Sequence, residues 1–209
     1  MWNIVYNYNI DVERYGLLTI IFLGEIVVGF LYRSRANVFT TSFIATGFGI
    51  FICISLQYIY FTIDHKDHEC HAVRKGKLSS LIWQVAHFPL HASILSLGNI
   101  MNSIVVNYAH DQEEGKPTLI HSNMRTSFLL AIALILFFFT VEGLMHSPLK
   151  VKTRIPFNYR IGIRFIVSLL FIIAAFLPSN LNVPELMASA TIALISLCCV
   201  LEFGRSKLN

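Results

Sequence analysis

A chain of 209 residues that is 55% hydrophobic and only 13% charged, with a mean hydropathy of +0.63, does not have the make-up of a soluble domain. Soluble domains carry about a quarter of their residues charged, and so little polar surface would not cover a core. The net charge of +4 does not signal nucleic acid either, because the Lys and Arg sit in short connectors between apolar runs, where basic residues orient a membrane protein. Residues 1–12, MWNIVYNYNIDV, lack a basic start followed by an apolar core. No cleavable signal peptide is therefore read, and the first apolar run acts as an anchor.

About 20 apolar residues cross a bilayer as a helix. Six continuous, non-alternating runs meet that need, at roughly 14–32, 39–63, 79–106, 124–146, 160–178 and 185–203. They predict an all-α polytopic transmembrane bundle of about six spans, taken as one transmembrane domain over 1–209. With six spans, twelve of the sixteen Lys and Arg fall on one side, leaving Arg33, Arg35, Lys116 and Arg125 on the other. That asymmetry places both termini in the cytoplasm of a multi-pass protein.

The first span holds Glu25 in the middle of an apolar run. A charged carboxylate at the bilayer centre costs about 2.5–3.5 kcal/mol on insertion scales, so an acid there is expected to face the bundle interior, be protonated or pair; a functional acid competes with a neutral Glu hydrogen-bonded across an interface. On an ideal helix Arg14, Leu18, Ile21, Glu25 and Tyr32 share one arc, and Arg14 is too distant to pair with Glu25. A partner from another helix is expected. The second span carries Ser42, Thr46, Gly49, Cys53, Gln57 and Tyr60 on one side, a spacing that suits close helix packing.

Between spans two and three lies DHKDHECH (64–71), rich in metal-ligand types. His65, His68 and His71 recur every third residue and are candidate zinc or copper ligands, against the plainer reading of a solvated polar loop. The four cysteines, Cys53, Cys70, Cys198 and Cys199, show no framework spacing and are read as free thiols.

The third span carries the longest polar stripe. Ser80, Gln84, His87, His91, Gly98 and Asn102 fall within one arc of an ideal helix. His87 and His91 are one turn apart on that arc, a spacing suited to a metal or a proton relay. Pro89 between them removes a backbone donor and frees a carbonyl near Val85. Polar glue between helices is the competing explanation. Glu142 and His146 at the end of span four read as a satisfied pair. Arg160 and Arg164 at the start of span five are expected to snorkel to the surface. Span six carries Glu185, Ser189, Ser196 and Cys199 as a further packing stripe. Spans one and three are expected to be neighbours, with Glu25 turned toward His87 or His91.

Two stretches resemble one family. ERYGLLTIIFLGE (13–25) is similar to the E-R-x-G-L-x-x-I-x-x-L-G-E signature of the low temperature requirement A (LtrA) family, matching at Glu13, Arg14, Gly16, Leu17, Ile20, Leu23, Gly24 and Glu25. HFPLH (87–91) resembles the family's H-x-P-L segment two spans later. The resemblance is carried by spans one to three and is to the second half of the family's longer chain. It implies a multi-pass membrane protein, linked by name to growth in the cold, with no settled biochemical activity. It carries over Glu13, Arg14, Glu25 and His87 as functional positions without a role. Ile26 stands where the family commonly has Ser.

Three functions compete. The first is a proton- or cation-linked transporter or channel using Glu13, Arg14, Glu25, Gln84, His87, His91, Asn102 and Glu142. The second is a non-catalytic membrane subunit acting through a partner chain. The weakest is an enzyme, because no nucleophile–base pair, phosphate loop or full ligand set is recognisable. No cofactor is specified. The expected partners are the lipid bilayer and a further copy or another membrane chain, not nucleic acid.

Overall fold

The computed structural model describes residues 8–33, 41–64, 71–113, 122–146, 153–178 and 181–205. Among these, the chain forms α1 (Tyr8–Arg33), α2 (Thr41–Asp64), a single-turn α3 (Ala72–Lys75), α4 (Lys77–Glu113), α5 (Ser122–Met145), α6 (Phe157–Phe176) and α7 (Val183–Arg205). The all-α bundle is as expected, and each apolar run lies mainly in one long helix. Helix is the secondary structure that satisfies every backbone group within a single segment in lipid. The ends are marked locally. Pro156 immediately precedes α6, and Pro178 follows Leu177 at its end. At the start of α7 the Glu185 carboxylate accepts from the Asn182 N–H at 3.0 Å, half of a capping box. α4, at 37 residues, is about 55 Å long and overshoots a hydrocarbon core of ~30 Å.

Among the described residues, five helices are long and apolar enough to cross a membrane: Phe43–Phe61, Lys77–Asp111, Ser122–Met145, Phe157–Phe176 and Val183–Gly204. α1, counted in sequence as the first of six, is not among them and carries Glu13, Arg14 and Glu25. Its place is set by packing. α1 runs parallel to α4 at one level, with Tyr15 edge-on to Trp83, Thr19 bonded to His91, and Ile26 against Gly98. α5 runs antiparallel to α4, from Met124 beside Asn107 to Met145 beside Ser79. α6 returns along α5, with Thr126 bonded to the Ala175 carbonyl and Ser168 to that of Ala133. α7 runs parallel to α2, through Thr191 to Phe48 and Tyr58 to Glu202.

Small residues admit the bulky ones. A Cβ at Gly49 would meet the Phe30 ring at 2.8 Å, and one at Gly98 would meet Ile26 Cγ1 at 2.5 Å. The close packing expected of the second span's stripe is found at Thr46, Gly49, Cys53 and Tyr60, although Gln57 is exposed.

Three expected faces are corrected. On α1 the inward residues are Gly16, Thr19, Leu23, Ile26 and Phe30, whereas Arg14, Leu18, Ile21 and Glu25 face outward. In lipid, helix association follows van der Waals fit, and Ile26 and Phe30 are the residues that fill the gaps over Gly98 and Gly49. On α7, Glu185, Ser189, Ser196 and Cys199 are exposed, and Leu186, Met187, Ala190, Thr191 and Leu194 are buried instead. Arg160 and Arg164 do not snorkel. Both are buried, and Gly143 leaves the room: a Cβ there would stand 2.9 Å from Arg164 Nη1. Cys53, Cys198 and Cys199 are free thiols, as read; Cys70 lies outside the described residues.

Candidate functional site

Four helices converge on His87, which is fully buried. Its Nδ1 lies 2.8 Å from the Trp83 carbonyl one turn back on α4 and 3.3 Å from Glu142 Oε1 on α5. Both are acceptors, so Nδ1 carries a proton. Its Nε2 lies 3.1 Å from the Tyr60 hydroxyl of α2. A neutral imidazole accepts there from the Tyr60 O–H; a charged one donates, and the hydroxyl must turn. Tyr15 of α1 covers the ring at a centroid distance of 4.7 Å. Glu142 has no exposed side-chain surface, so the carboxylate and the imidazole share a volume closed by aromatic rings.

Further imidazoles flank this pair. His91, one turn along α4, has its ring 5.6 Å from that of His87. Its Nε2 is 2.9 Å from Thr19 Oγ1, and Thr19 spends its own hydrogen on the Tyr15 carbonyl. His91 Nε2 is therefore the donor. Toward the α3 end, His146 donates from Nδ1 to the backbone carbonyl of Glu142 at 2.7 Å. His71 caps α3, accepting the Val73 N–H on Nδ1 at 3.2 Å. The His71 ring lies 4.7 Å from that of His146 and 5.0 Å from Trp83, which itself lies edge-on to His87 at 4.2 Å. The result is a continuous series of rings from the end of the bundle to one turn beyond His87. Backbone groups or hydroxyls set a tautomer at each imidazole.

The polar stripe of span three is largely confirmed as inward: His87, His91, Gly98 and Asn102 are buried, with Ser80 and Gln84 half-buried. Asn102 is eleven residues beyond His91, about 16 Å along the helix, and does not join the cluster. Gln84 turns to Ser80 at 3.5 Å. Val85 is exposed and Pro89 half-buried, so the carbonyl freed by Pro89 lies on the outward side, away from both imidazoles. Glu142 and His146 meet through the Glu142 backbone; the carboxylate belongs to His87. Spans one and three are neighbours as expected, yet Glu25 is exposed, as are Glu13 and Arg14. None of the three reaches the cluster.

His65 and His68 lie outside the described residues. His71 is buried beside Trp83 and His146. Among the described residues no group of three or more His, Cys, Asp or Glu is placed to hold a metal ion. Sequence reading did not assign Thr19, Tyr60, Trp83 or His146 to a site. The visible signal was a ring or hydroxyl on the inward arc of a span, as Tyr60 is on the arc of Gly49 and Cys53.

The family model for bacterial low temperature requirement A protein (LtrA) matches residues 11–201. The chain belongs to the LtrA family. The match extends past the three spans that carry the sequence resemblance and takes in every long helix. No curated protein and no solved structure matches the chain. Family membership and the five long apolar helices make this LtrA chain a multi-pass integral membrane protein. Its signature segments meet at the α1–α4 contact. HFPLH supplies the two imidazoles. Of the eight matching positions in 13–25, Gly16 and Leu23 are buried and the other six are exposed.

Proposed function

We propose that this LtrA-family protein is a proton-linked transporter or channel whose proton-exchanging centre is His87 with Glu142. The observation that carries the reading is the 3.3 Å contact between two fully buried titratable groups. Intramembrane acids and imidazoles that face the bundle interior are the usual parts of proton and ion paths. At 3.3 Å the attraction of a charged pair is about 5 kcal/mol at an effective dielectric of 20. Desolvation opposes it by several kcal/mol per ion. With two ions to desolvate, the attraction offsets part of that cost, and a change in either partner's surroundings shifts the balance between the neutral and ionised forms. His91 and Thr19 extend the path inward, and His146 and His71 extend it toward the end of the bundle. This reading takes α1 as a sixth crossing, because it runs level with residues 83–101 of α4. Both termini are then cytoplasmic, on the side of Arg74, Lys75, Lys77, Arg154 and Arg205.

The test is proton and cation flux in liposomes loaded with a pH-sensitive dye, with metal content measured on the same sample. Glu142→Gln and His87→Gln should insert and fold but lose flux driven by a pH gradient. Glu25→Gln should keep it. Undiminished flux in Glu142→Gln between about pH 5 and 8, the range around an ordinary imidazole, would leave the pair a packing device.

A second reading, a membrane subunit that works through a partner chain, is favoured by one observation. Glu25 is exposed at a level between the Phe22–His91 and Ile26–Gly98 contacts, a costly place to meet lipid. Cysteines at Gly24 or Val28 that form no cross-link to any chain in native membranes would remove its support.

A further inference from the structure

We infer that the corner between α3 and α4 is a binding site for a phosphate-bearing anionic lipid. A cleft of about 670 Å³ opens there, with Val73, Arg74, Lys77, Ser80, Leu81 and Gln84 in its lining. Two cationic side chains and two neutral donors thus border one open volume, the donor set that an oxygen-rich anion needs. Arg74 and Lys77 line the cleft, whereas Lys75 is not part of its lining and donates to the His146 carbonyl at 3.5 Å. The depth is fixed by Ser79, whose hydroxyl donates to the carbonyl of Met145, the last residue of α5. The cleft therefore sits where α4 and α5 leave the apolar slab, at headgroup level.

An unbroken apolar rail runs down α4 from its lip. Leu78, Leu81, Val85 and Phe88 are 70%, 57%, 61% and 82% exposed, at a spacing that keeps them on one side of the helix. Phe88 is turned outward while its neighbour His87 is turned inward. From Leu81 to Phe88 the rail covers about 10 Å, much of a ~15 Å leaflet, half the ~30 Å hydrocarbon core. A phosphate ester held at Arg74 and Lys77 would lay an acyl chain along it. Basic pockets at the ends of membrane helices recognise anionic headgroups in this way. Inorganic phosphate has the same headgroup chemistry but no use for the rail, which decides for the lipid.

The experiment is native mass spectrometry of the detergent-solubilised protein in an equal mixture of phosphatidylglycerol and phosphatidylcholine of matched chains. Attraction of about fivefold per basic residue near the surface sets the scale. One phosphatidylglycerol should be retained per chain, with a preference over phosphatidylcholine of roughly thirtyfold. Arg74→Gln with Lys77→Gln should abolish that preference, and Arg74→Lys with Lys77→Arg should keep most of it, separating charge from fold. Phe88→Ser should weaken retention of either lipid. Equal retention of the two lipids by the wild-type chain overturns the inference. So does a preference that survives the double Gln substitution, or displacement of the lipid by millimolar inorganic phosphate in place of competition by a second anionic lipid.

Discussion

The α1–α4 contact decides where Thr19 and Tyr15 stand against His91 and His87, so its tightest point is a lever on the whole site. A Cβ at Gly98 would lie 2.5 Å from Ile26 Cγ1 and 3.2 Å from Cδ1, against about 3.5–4.0 Å for an ordinary carbon contact. Ile26 is β-branched, with one strongly preferred χ1 in a helix, and is itself buried. Gly98→Ala must therefore part the helices by about 1 Å or force Ile26 off its rotamer, and overpacking of this kind typically costs about 1–3 kcal/mol. Replacing Gly by Ala also changes helix propensity, by about 1 kcal/mol in the favourable direction. Gly24→Ala is the matched control, since nothing lies within 4 Å of its added Cβ. The difference between the two variants isolates the steric cost, and reversible unfolding in mixed micelles, followed by tryptophan fluorescence, measures it. Gly98→Ala should be less stable than Gly24→Ala by about 1–3 kcal/mol. Adding Ile26→Ala should recover part of the loss, with a coupling of about 0.5–3 kcal/mol. If the two alanine variants are equally stable, Ile26 does not sit over Gly98 and the placement of α1 beside His91 is wrong.

Other outcomes follow from single contacts. Thr19→Val removes the oxygen that accepts from His91 Nε2 and should cost about 0.6–1.7 kcal/mol, the range of interhelical hydrogen bonds in membranes, while Thr19→Ser should be nearly neutral in the same unfolding assay. Arg125→Ala removes the guanidinium that donates to the Leu177 carbonyl at the end of α6 and should cost about 1.5–3 kcal/mol, the scale of a hydrogen bond to a charged group; a melting temperature equal to wild type would show that this cap is idle. In a cysteine-free background, cysteines at Ser79 and Asn123 should react with a water-soluble maleimide from opposite sides of the membrane, because they lie at opposite ends of the antiparallel α4 and α5. Labelling of both from one side would refute the crossing of these two helices.

The bundle itself was legible because its signal is cumulative. Runs of about 20 apolar residues need no knowledge of neighbours, and the arc of Gln84, His87, His91, Gly98 and Asn102 on α4 marked an inward face because several polar residues agreed on it. Partnership was less legible. His87 and Glu142 lie 55 positions apart in sequence, and the local pattern proposed a nearer mate for Glu142 at His146. An i,i+4 pair is a sound local guess, but the His146 ring is taken by a backbone carbonyl, which left the carboxylate for another helix. The same locality misplaced Arg160 and Arg164. Their position at a span end suggested snorkelling; the space that receives Arg164 is made by Gly143, on a different helix.

Glu25 shows why polarity alone does not choose a helix face in lipid. In water, burying Leu23, Ile26 and Phe30 would be favoured by hydrophobicity; in a bilayer those residues gain no such advantage, and a rule that turns the acid inward looks compelling. What remains is fit. Ile26 and Phe30 fill the space over Gly98 and Gly49, and the helix can present that face or the face bearing Glu25, not both, since Ile26 and Glu25 are about 100° apart. Shape complementarity therefore sets the rotation of α1, and the carboxylate is carried outward with Leu18 and Ile21. Among the described residues the buried acid is Glu142, whose helix has Gly143 and Phe139 beside it to pack against α6 and Tyr60. There the face that fits and the face that bears the carboxylate coincide, and a titratable group can be held against His87 without giving up packing.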